Sequence, residues 1–489
     1  MTYLSRRSFL KQAASTGGAL MLTGRSWARP SRPAVVHVTG RVLSGGRPVA
    51  DVPVSDGLTV VGTDESGAFE FISRSRQPFV FLSVPSAFRV PVSEVGTAAF
   101  YQPLAVDADG RADVRFELEA ANGSTEEHAF VVLADPQTQT PEEIDLLHAQ
   151  TVPDVIETVS GFPSSSIFGV ACGDIMFDDL ELYPDYERAV ARMGVPFFQA
   201  VGNHDLDFDA LVDSTSTRTF QHHFGPRYYS FDRGRAHYVV LDDVFWNHAD
   251  YVGYLDEDQL SWLEADLARV APGRLVVVFT HIPAHSTRYR REDEDRPRAT
   301  GSISNRRALY DLLSPFDAHV ISGHTHENEH VFEGGVHEHI LGATCGAWWS
   351  GPICHDGTPN GYGVFEVDGD EIRWRYKATG RPADYQLRAY PIGSDASAPD
   401  EIVANVWDWD PEWTVTWYED GVRRGLMARR TGTDPHSVEL HSGEAFPEHR
   451  PWVDPVLTDH LFYAPVSPDA QRVVVEATNR WGESFTAAL

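Results

Sequence analysis

Five polar clusters in this chain each stand just past a short apolar run. Asp135-Pro136-Gln137 follows Val131–Ala134, and Gly173-Asp174 follows Ile167–Cys172. Gly202-Asn203-His204-Asp205 follows Val195–Val201, His281 follows Val276–Thr280, and Gly323-His324-Thr325-His326 follows Val320–Ser322. Such runs read as buried parallel strands, and residues beyond strand ends in open α/β sheets face the crevice that takes ligands. The side chains delivered there, Asp135, Gln137, Asp174, Asn203, His281, His324 and His326, form a mixed oxygen and nitrogen set suited to two divalent transition metals. Each residue alone has an ordinary use, as a helix cap, a loop hydrogen bond or a Gly-Asp turn. Recurrence at five successive strand ends points to a metal centre instead. His324 and His326 would share one face of an ideal strand, so a turn after Gly323 must splay them apart.

Over roughly 127–380 the ordered series resembles the calcineurin-like metallophosphoesterase superfamily. The flanks resemble a bacterial exported subgroup with a small β domain on each side. The resemblance implies a central α/β four-layer sandwich of two mixed sheets flanked by helices. It implies that Asp135 and Gln137 bind one metal, that Asp174 bridges both, that Asn203, His281 and His324 complete the second site, and that His326 returns to the first. The implied reaction is hydrolysis of a phosphoric mono- or diester by water held between two cations about 3.5 Å apart. Neutral imidazoles and amides keep the ligand charge low, so an anionic ester is not repelled. His204, directly after Asn203, is the candidate general acid or phosphate-positioning group. In many relatives the carboxylate that orients this histidine stands three residues after the bridging Asp; here Asp178 stands four after Asp174.

Two departures narrow the metal. The usual opening motif is Asp-x-His, whereas this chain has Gln137, whose amide oxygen should bind more weakly. Purple acid phosphatases place a metal-binding Tyr where this chain has Phe177, so Mn²⁺, Fe²⁺ or Zn²⁺ is expected rather than a ferric tyrosinate. The segment from Gly346 to Tyr362 resembles the subgroup's Gly- and Trp-rich loop at the active-site mouth. Trp348 and Trp349 are therefore candidates to stack on a nucleotide base, a sugar phosphate or a phospholipid head group, balanced against plain packing. Asp205 is read as a partner for a ligand or a local turn former.

With 489 residues the chain exceeds one usual domain. Residues 1–28 read as a twin-arginine signal peptide, with Ser5-Arg6-Arg7-Ser8-Phe9-Leu10-Lys11 followed by a modest apolar stretch, so the twin-arginine machinery is the expected export partner and the periplasm or exterior the destination. Residues 34–118, rich in short strands and Gly or Asp turns, resemble a transthyretin-like β-sandwich. Residues 127–380 form the enzyme domain, and residues 383–489, rich in aromatic strands, resemble a fibronectin-like β domain. A formal charge of -31, from 71 acidic and 40 basic residues, argues against a nucleic-acid duplex as partner. No later run reaches the apolar length of about 18 residues that a membrane helix needs. The charged stretch Arg288 to Arg298 reads as a solvated loop, or as a rim that meets anionic substrate through Arg288 or Arg290. Cys345 and Cys354, close in sequence, are candidates for a disulfide. The competing reading is an envelope polysaccharide-binding or structural protein on a degenerate phosphoesterase scaffold, with Trp407, Trp409 and Trp413 as a carbohydrate platform; packing is the commoner use of such residues.

Overall fold

Alternation along the Glu127–Leu133 strand sets the central architecture: Phe130 and Val132 point to a facing sheet, while Ala129, Val131 and Leu133 point to helices. The computed structural model describes residues 35–74, 78–164, 166–443 and 447–489; the expected export segment lies outside the described residues. One central sheet has five strands in the order Phe197–Ala200, Ile167–Cys172, Glu127–Leu133, Gly361–Asp368 and Glu371–Ala378. Its first three strands are parallel and its last two form an antiparallel hairpin. The other has six, Tyr229–Arg233, Ala236–Val240, Leu275–Phe279, Asp317–Ser322, Val336–Ile340 and Glu329–Glu333, parallel in the middle and antiparallel at both edges.

The facing surfaces interlock through aromatic rings. Phe198 stacks on Phe231 with centroids 3.9 Å apart, and Phe130 meets Phe279 edge-on at 5.7 Å. Burial on both faces explains why these strands read as continuous apolar runs. Helices Val152–Ser160 and Tyr183–Met193 cover the outer face of the five-stranded sheet, and Glu257–Leu267 and Arg306–Leu313 cover that of the six-stranded sheet. Helices, sheet, sheet and helices make the four layers. The helix that begins at Pro141 is capped by Thr140, whose side chain accepts from the Glu143 N–H. It then relaxes into a π-helical turn at Leu147–Thr151 immediately before Pro153, whose missing N–H such a turn accommodates.

Both flanks are β structures built into the centre. In the N-terminal module two four-stranded sheets enclose Val38, Phe71 and Val114. That core runs without a break into the central one, where Phe81 meets Trp262 and Phe100 lies 4.4 Å from Tyr229. The C-terminal module also pairs two four-stranded sheets, around Ile402, Val415, Phe462 and Val475. Trp407 and Trp413 are buried against Tyr385 and Phe485, and Arg429 covers the ring of Trp409. Their faces are thus occupied, and the carbohydrate-platform reading has no surface to use.

The charged stretch after Thr287 is not a freely solvated loop. It opens with a helical turn, Arg288–Arg291, in which the side chain of Arg291 is tucked away from solvent and paired with Glu327. Arg288 is tied to Glu292 at 2.7 Å and Glu327 at 2.8 Å. Burial of Glu327 demands these cations, and so the segment is drawn inward.

His237 on the outer face of the six-stranded sheet gives a pH-dependent fastener. Its Nδ1 lies 2.8 Å from Asp232 and its Nε2 2.9 Å from Asp266. Burial opposes its charge, but the Asp266 and Asp232 carboxylates outweigh it and lift the pKa to about 10. A folded pKa above the unfolded value of about 6.5 stabilises fully below that value and is lost as pH rises through the folded pKa. His237→Gln should therefore cost about 3 kcal/mol at pH 6. The gap to wild type, followed by denaturant unfolding, should shrink steadily between pH 7 and 10; a pH-independent gap would refute the imidazolium assignment.

Candidate metal centre

The loops after the parallel strands bring the seven expected ligands to one end of the two sheets. They do so through backbone that side-chain-bearing residues rarely adopt: φ is 47° at Asp135, 42° at Gln137, 47° at Asp174, 70° at His324 and 54° at His326. Left-handed residues in such numbers mark a functional site. They also explain how His324 and His326, two apart, turn in different directions. Close approach fixes the glycines between them. A Cβ on Gly202 would collide with the backbone and carboxylate of Asp174, and one on Gly323 with the carboxylate of Asp135.

Hydrogen bonds outside the cluster settle which imidazole nitrogens face it. His281 Nδ1 donates to the Cys172 carbonyl at 2.9 Å, His324 Nε2 to the Thr300 carbonyl at 2.8 Å, and His326 Nδ1 to the Gly346 carbonyl at 2.6 Å. The opposite nitrogens therefore turn lone pairs inward. His281 Nε2 and His324 Nδ1 stand 3.1 Å apart, with Asn203 Oδ1 also 3.1 Å from His281 Nε2 and Asp174 Oδ1 3.3 Å from it. His326 Nε2 faces Asp135 Oδ1 at 3.5 Å. Acceptors aimed at one another call for a cation between them, and the donor set fits divalent transition metals.

The electrostatics agree. Burial disfavours charge on His281, yet Asp174 lifts its pKa to about 10, while burial and then His281 push His324 down to about 3. A positive charge is what these carboxylates favour among the imidazoles, and metal uptake at such a site displaces protons. Asp174, despite burial, is held below the usual carboxylate range by His281 and His204. Its Oδ2 accepts from Gln137 Nε2 at 2.9 Å, and its Oδ1 accepts the His204 N–H at 2.8 Å.

His204 is partly exposed at the mouth. Its Nδ1 lies 2.7 Å from Asp178 Oδ1, so the one-residue longer spacing still brings the pair together, helped by a left-handed Asp178 with φ of 69°. Phe177 packs edge-on against the His204 ring at 4.4 Å and offers no metal ligand. Asp205 is fully buried and accepts from the N–H groups of Gly202, Ile175 and Met176 and from the Tyr183 hydroxyl. It clamps the Asp174 loop to the Asn203 loop; burial, then Asp174, raises its pKa to about 6.

The remaining expected contacts divide. Trp348 stacks on His326 with centroids 4.1 Å apart and lies at the rim. Trp349 is buried beneath the site with its Nε1 donating to the Pro136 carbonyl at 3.0 Å, so it is a support and not a stacking surface. Arg288 helps to line a cavity of about 190 Å³ that reaches His324, although its guanidinium is already paired. The candidate pair Cys345 and Cys354 forms no bridge, since both are free thiols. Cys345 Sγ turns to Gln137 Oε1 and His326, whereas Cys354 Sγ turns to the Ala343 carbonyl.

Several contributors escaped the sequence reading. Asp243 accepts the His281 N–H at 3.0 Å and stands just past the Ala236–Val240 strand, so the strand-end rule that found the ligands applies to it too. Others come from the C-terminal module and had no local signal. Arg450 donates to Gln139 and Glu143 and lays its guanidinium over Phe177 at 4.9 Å, and the half-exposed Trp452 meets Trp348 at 4.6 Å.

Fold, ligand order and sequence comparison converge on one class. The chain belongs to the calcineurin-like phosphoesterase superfamily, a class of metal-dependent phosphoric ester hydrolases. The family model for calcineurin-like phosphoesterase matches residues 129–328, its N-terminal model residues 36–121 and its C-terminal model residues 338–485. Among curated proteins, purple acid phosphatase 22 of Arabidopsis thaliana is 29% identical over 176 residues, 32% of this chain and 37% of that protein's length. Human serine/threonine-protein phosphatase CPPED1 is 27% identical over 222 residues, 43% of this chain and 67% of that protein. Among solved structures, a dimetal phosphatase from Danio rerio aligns with a TM-score of 0.37 at 16% identity, covering 51% of this chain and 96% of its own.

Proposed function

We propose that this chain hydrolyses phosphoric mono- or diesters of small molecules at a centre of two divalent transition metals. The observation that carries the reading is the convergence of three imidazole lone pairs on the carboxylates Asp135 and Asp174, with every opposite N–H anchored to a backbone carbonyl. Asp135, Gln137 and His326 would hold one cation, Asn203, His281 and His324 the other, and Asp174 both. When bound, the cations supply an activated water and neutralise the charge on the phosphoryl oxygens. Mn²⁺, Fe²⁺ or Zn²⁺ suits the donors, and Phe177 leaves no phenolate for a coloured ferric site.

His204 acts on the leaving group in this reading. Asp178 fixes the ring through Nδ1–H, which leaves Nε2 directed to the centre, 4.0 Å from Asp174 Oδ2, to give its proton to the departing oxygen. The Trp348 and Trp452 edges at the rim suit a substrate with a planar or sugar-bearing group, such as a nucleotide, a sugar phosphate or a phospholipid head group. The N-terminal and C-terminal modules read as transthyretin-like and fibronectin-like sandwiches that brace the enzyme.

Metal-free protein should be inactive, and Mn²⁺ should restore cleavage of aryl phosphates. His204→Ala should then lower kcat by about 100-fold or more for alkyl esters, whose leaving alkoxide needs a proton. For nitrophenyl esters the loss should stay below about 10-fold, because nitrophenolate leaves unaided. Full activity without metal would refute the centre, and equal losses on both ester types would leave His204 only a positioning role.

We also propose export through the twin-arginine route, supported by Arg6 and Arg7 before the apolar stretch. Cell fractionation should find the Arg6→Lys, Arg7→Lys precursor in the cytoplasm as folded enzyme. An unchanged exported yield would reject the route.

A further inference from the structure

A second group of histidines lies inside the sandwich, away from the ligand loops. His319 sits on the Asp317–Ser322 strand and is the direct cross-strand partner of His337 on Val336–Ile340; His339, two residues on, shares the face of His337 and pairs across with His330. His319, His337 and His339 are all buried, and one ligand nitrogen from each falls within 4.8 Å of the others. Asp174, His281 and His324 of the main centre meet that same separation.

The hydrogen bonding inside this group has the same signature. His319 Nδ1 and His339 Nε2 are 2.9 Å apart, as two nitrogens on one zinc would be at roughly 3.3 Å given Zn–N bonds of about 2.0 Å at a tetrahedral angle. His330 gives one nitrogen to His337, at 3.0 Å, and the other to Asp408 Oδ1, at 3.0 Å, so a carboxylate anchors the group from the C-terminal module. Trp374 and Phe365 from the facing sheet close over the rings, with Trp374 4.8 Å from His337 and 4.7 Å from His339.

We propose that His319, His337 and His339 bind a third divalent ion of borderline softness, Zn²⁺ being the best match to three imidazoles, as a closed structural site that fastens the strand leading to His324 and His326. His330 is not a ligand; it orients His337 and relays the Asp408 charge. Because its three rings are buried, its ion enters during folding and leaves only on unfolding, unlike those at the centre beside the partly exposed His204. This inference does not depend on the proposed reaction.

Protein purified from zinc-supplemented cells should be treated with EDTA under native conditions and its metal counted by mass spectrometry. The expected result is one Zn²⁺ per chain retained by folded wild-type protein and released when denaturant is added. His337→Gln and His339→Gln, each close in size to imidazole, should retain none and melt at a lower temperature. Should those variants fail to fold, Co²⁺ incorporated in wild-type protein provides the second measurement: EDTA-resistant visible d–d absorption is expected, unchanged by added phosphate. No EDTA-resistant zinc in folded wild-type protein, retention of that zinc by both Gln variants, or no EDTA-resistant cobalt spectrum would overturn the site and leave a ladder of N–H···N bonds.

Discussion

The Asp174 carboxylate is the interaction on which the rest of the site depends. Its two oxygens meet the His204 N–H, the Gln137 amide and His281 Nε2, groups that arrive from three different strand ends. A buried carboxylate of this kind is tolerable only among cations and donors. Its left-handed backbone requires a neighbour to hold the loop, and Asp205 does so with three N–H groups and the Tyr183 hydroxyl. Gly202 is where the two loops touch, which is why it carries no side chain. Fold and chemistry are joined here: parallel strands place the loops side by side, and the shared carboxylate ties them.

The candidate ligands were legible because each lies one to four residues past an apolar run, a signal that survives without knowledge of the tertiary structure. The paired sheets were legible for the same reason. What the sequence could not convey was direction. Cys345 and Cys354 are nine positions apart, but proximity along a chain says nothing about where each Sγ turns, and here they turn to different groups. Trp348 and Trp349 are adjacent and both left-handed, yet one ring faces His326 at the rim and the other is driven under Pro136. The charge-balanced Arg288 to Arg298 stretch looked solvated because its decisive partner, Glu327, lies beyond it in sequence. Long-range partners also hid Arg450 and Trp452.

The flanking modules consequently belong to the mechanical design of the enzyme domain. The N-terminal sandwich extends the inter-sheet core through Phe81 and Phe100, next to the helix that carries Trp262. The C-terminal module reaches the mouth, where Arg450 braces the Phe177 ring that in turn packs on His204, and Trp452 continues the aromatic edge begun by Trp348. Arg450 and Trp452 at the rim are thus supplied by a different module from the residues gathered at the centre, so that part of the rim can vary while the ligand loops remain fixed.

The central claim is that Asp174 spans two metal positions, and electron paramagnetic resonance of Mn²⁺-reconstituted protein tests it most directly. With about two ions bound, wild-type protein should give the spectrum of an exchange-coupled Mn²⁺ pair, as should Gln137→Ala at saturating metal. Asp174→Asn should give uncoupled Mn²⁺ signals together with loss of turnover. A coupled pair with undiminished turnover in Asp174→Asn would contradict the account.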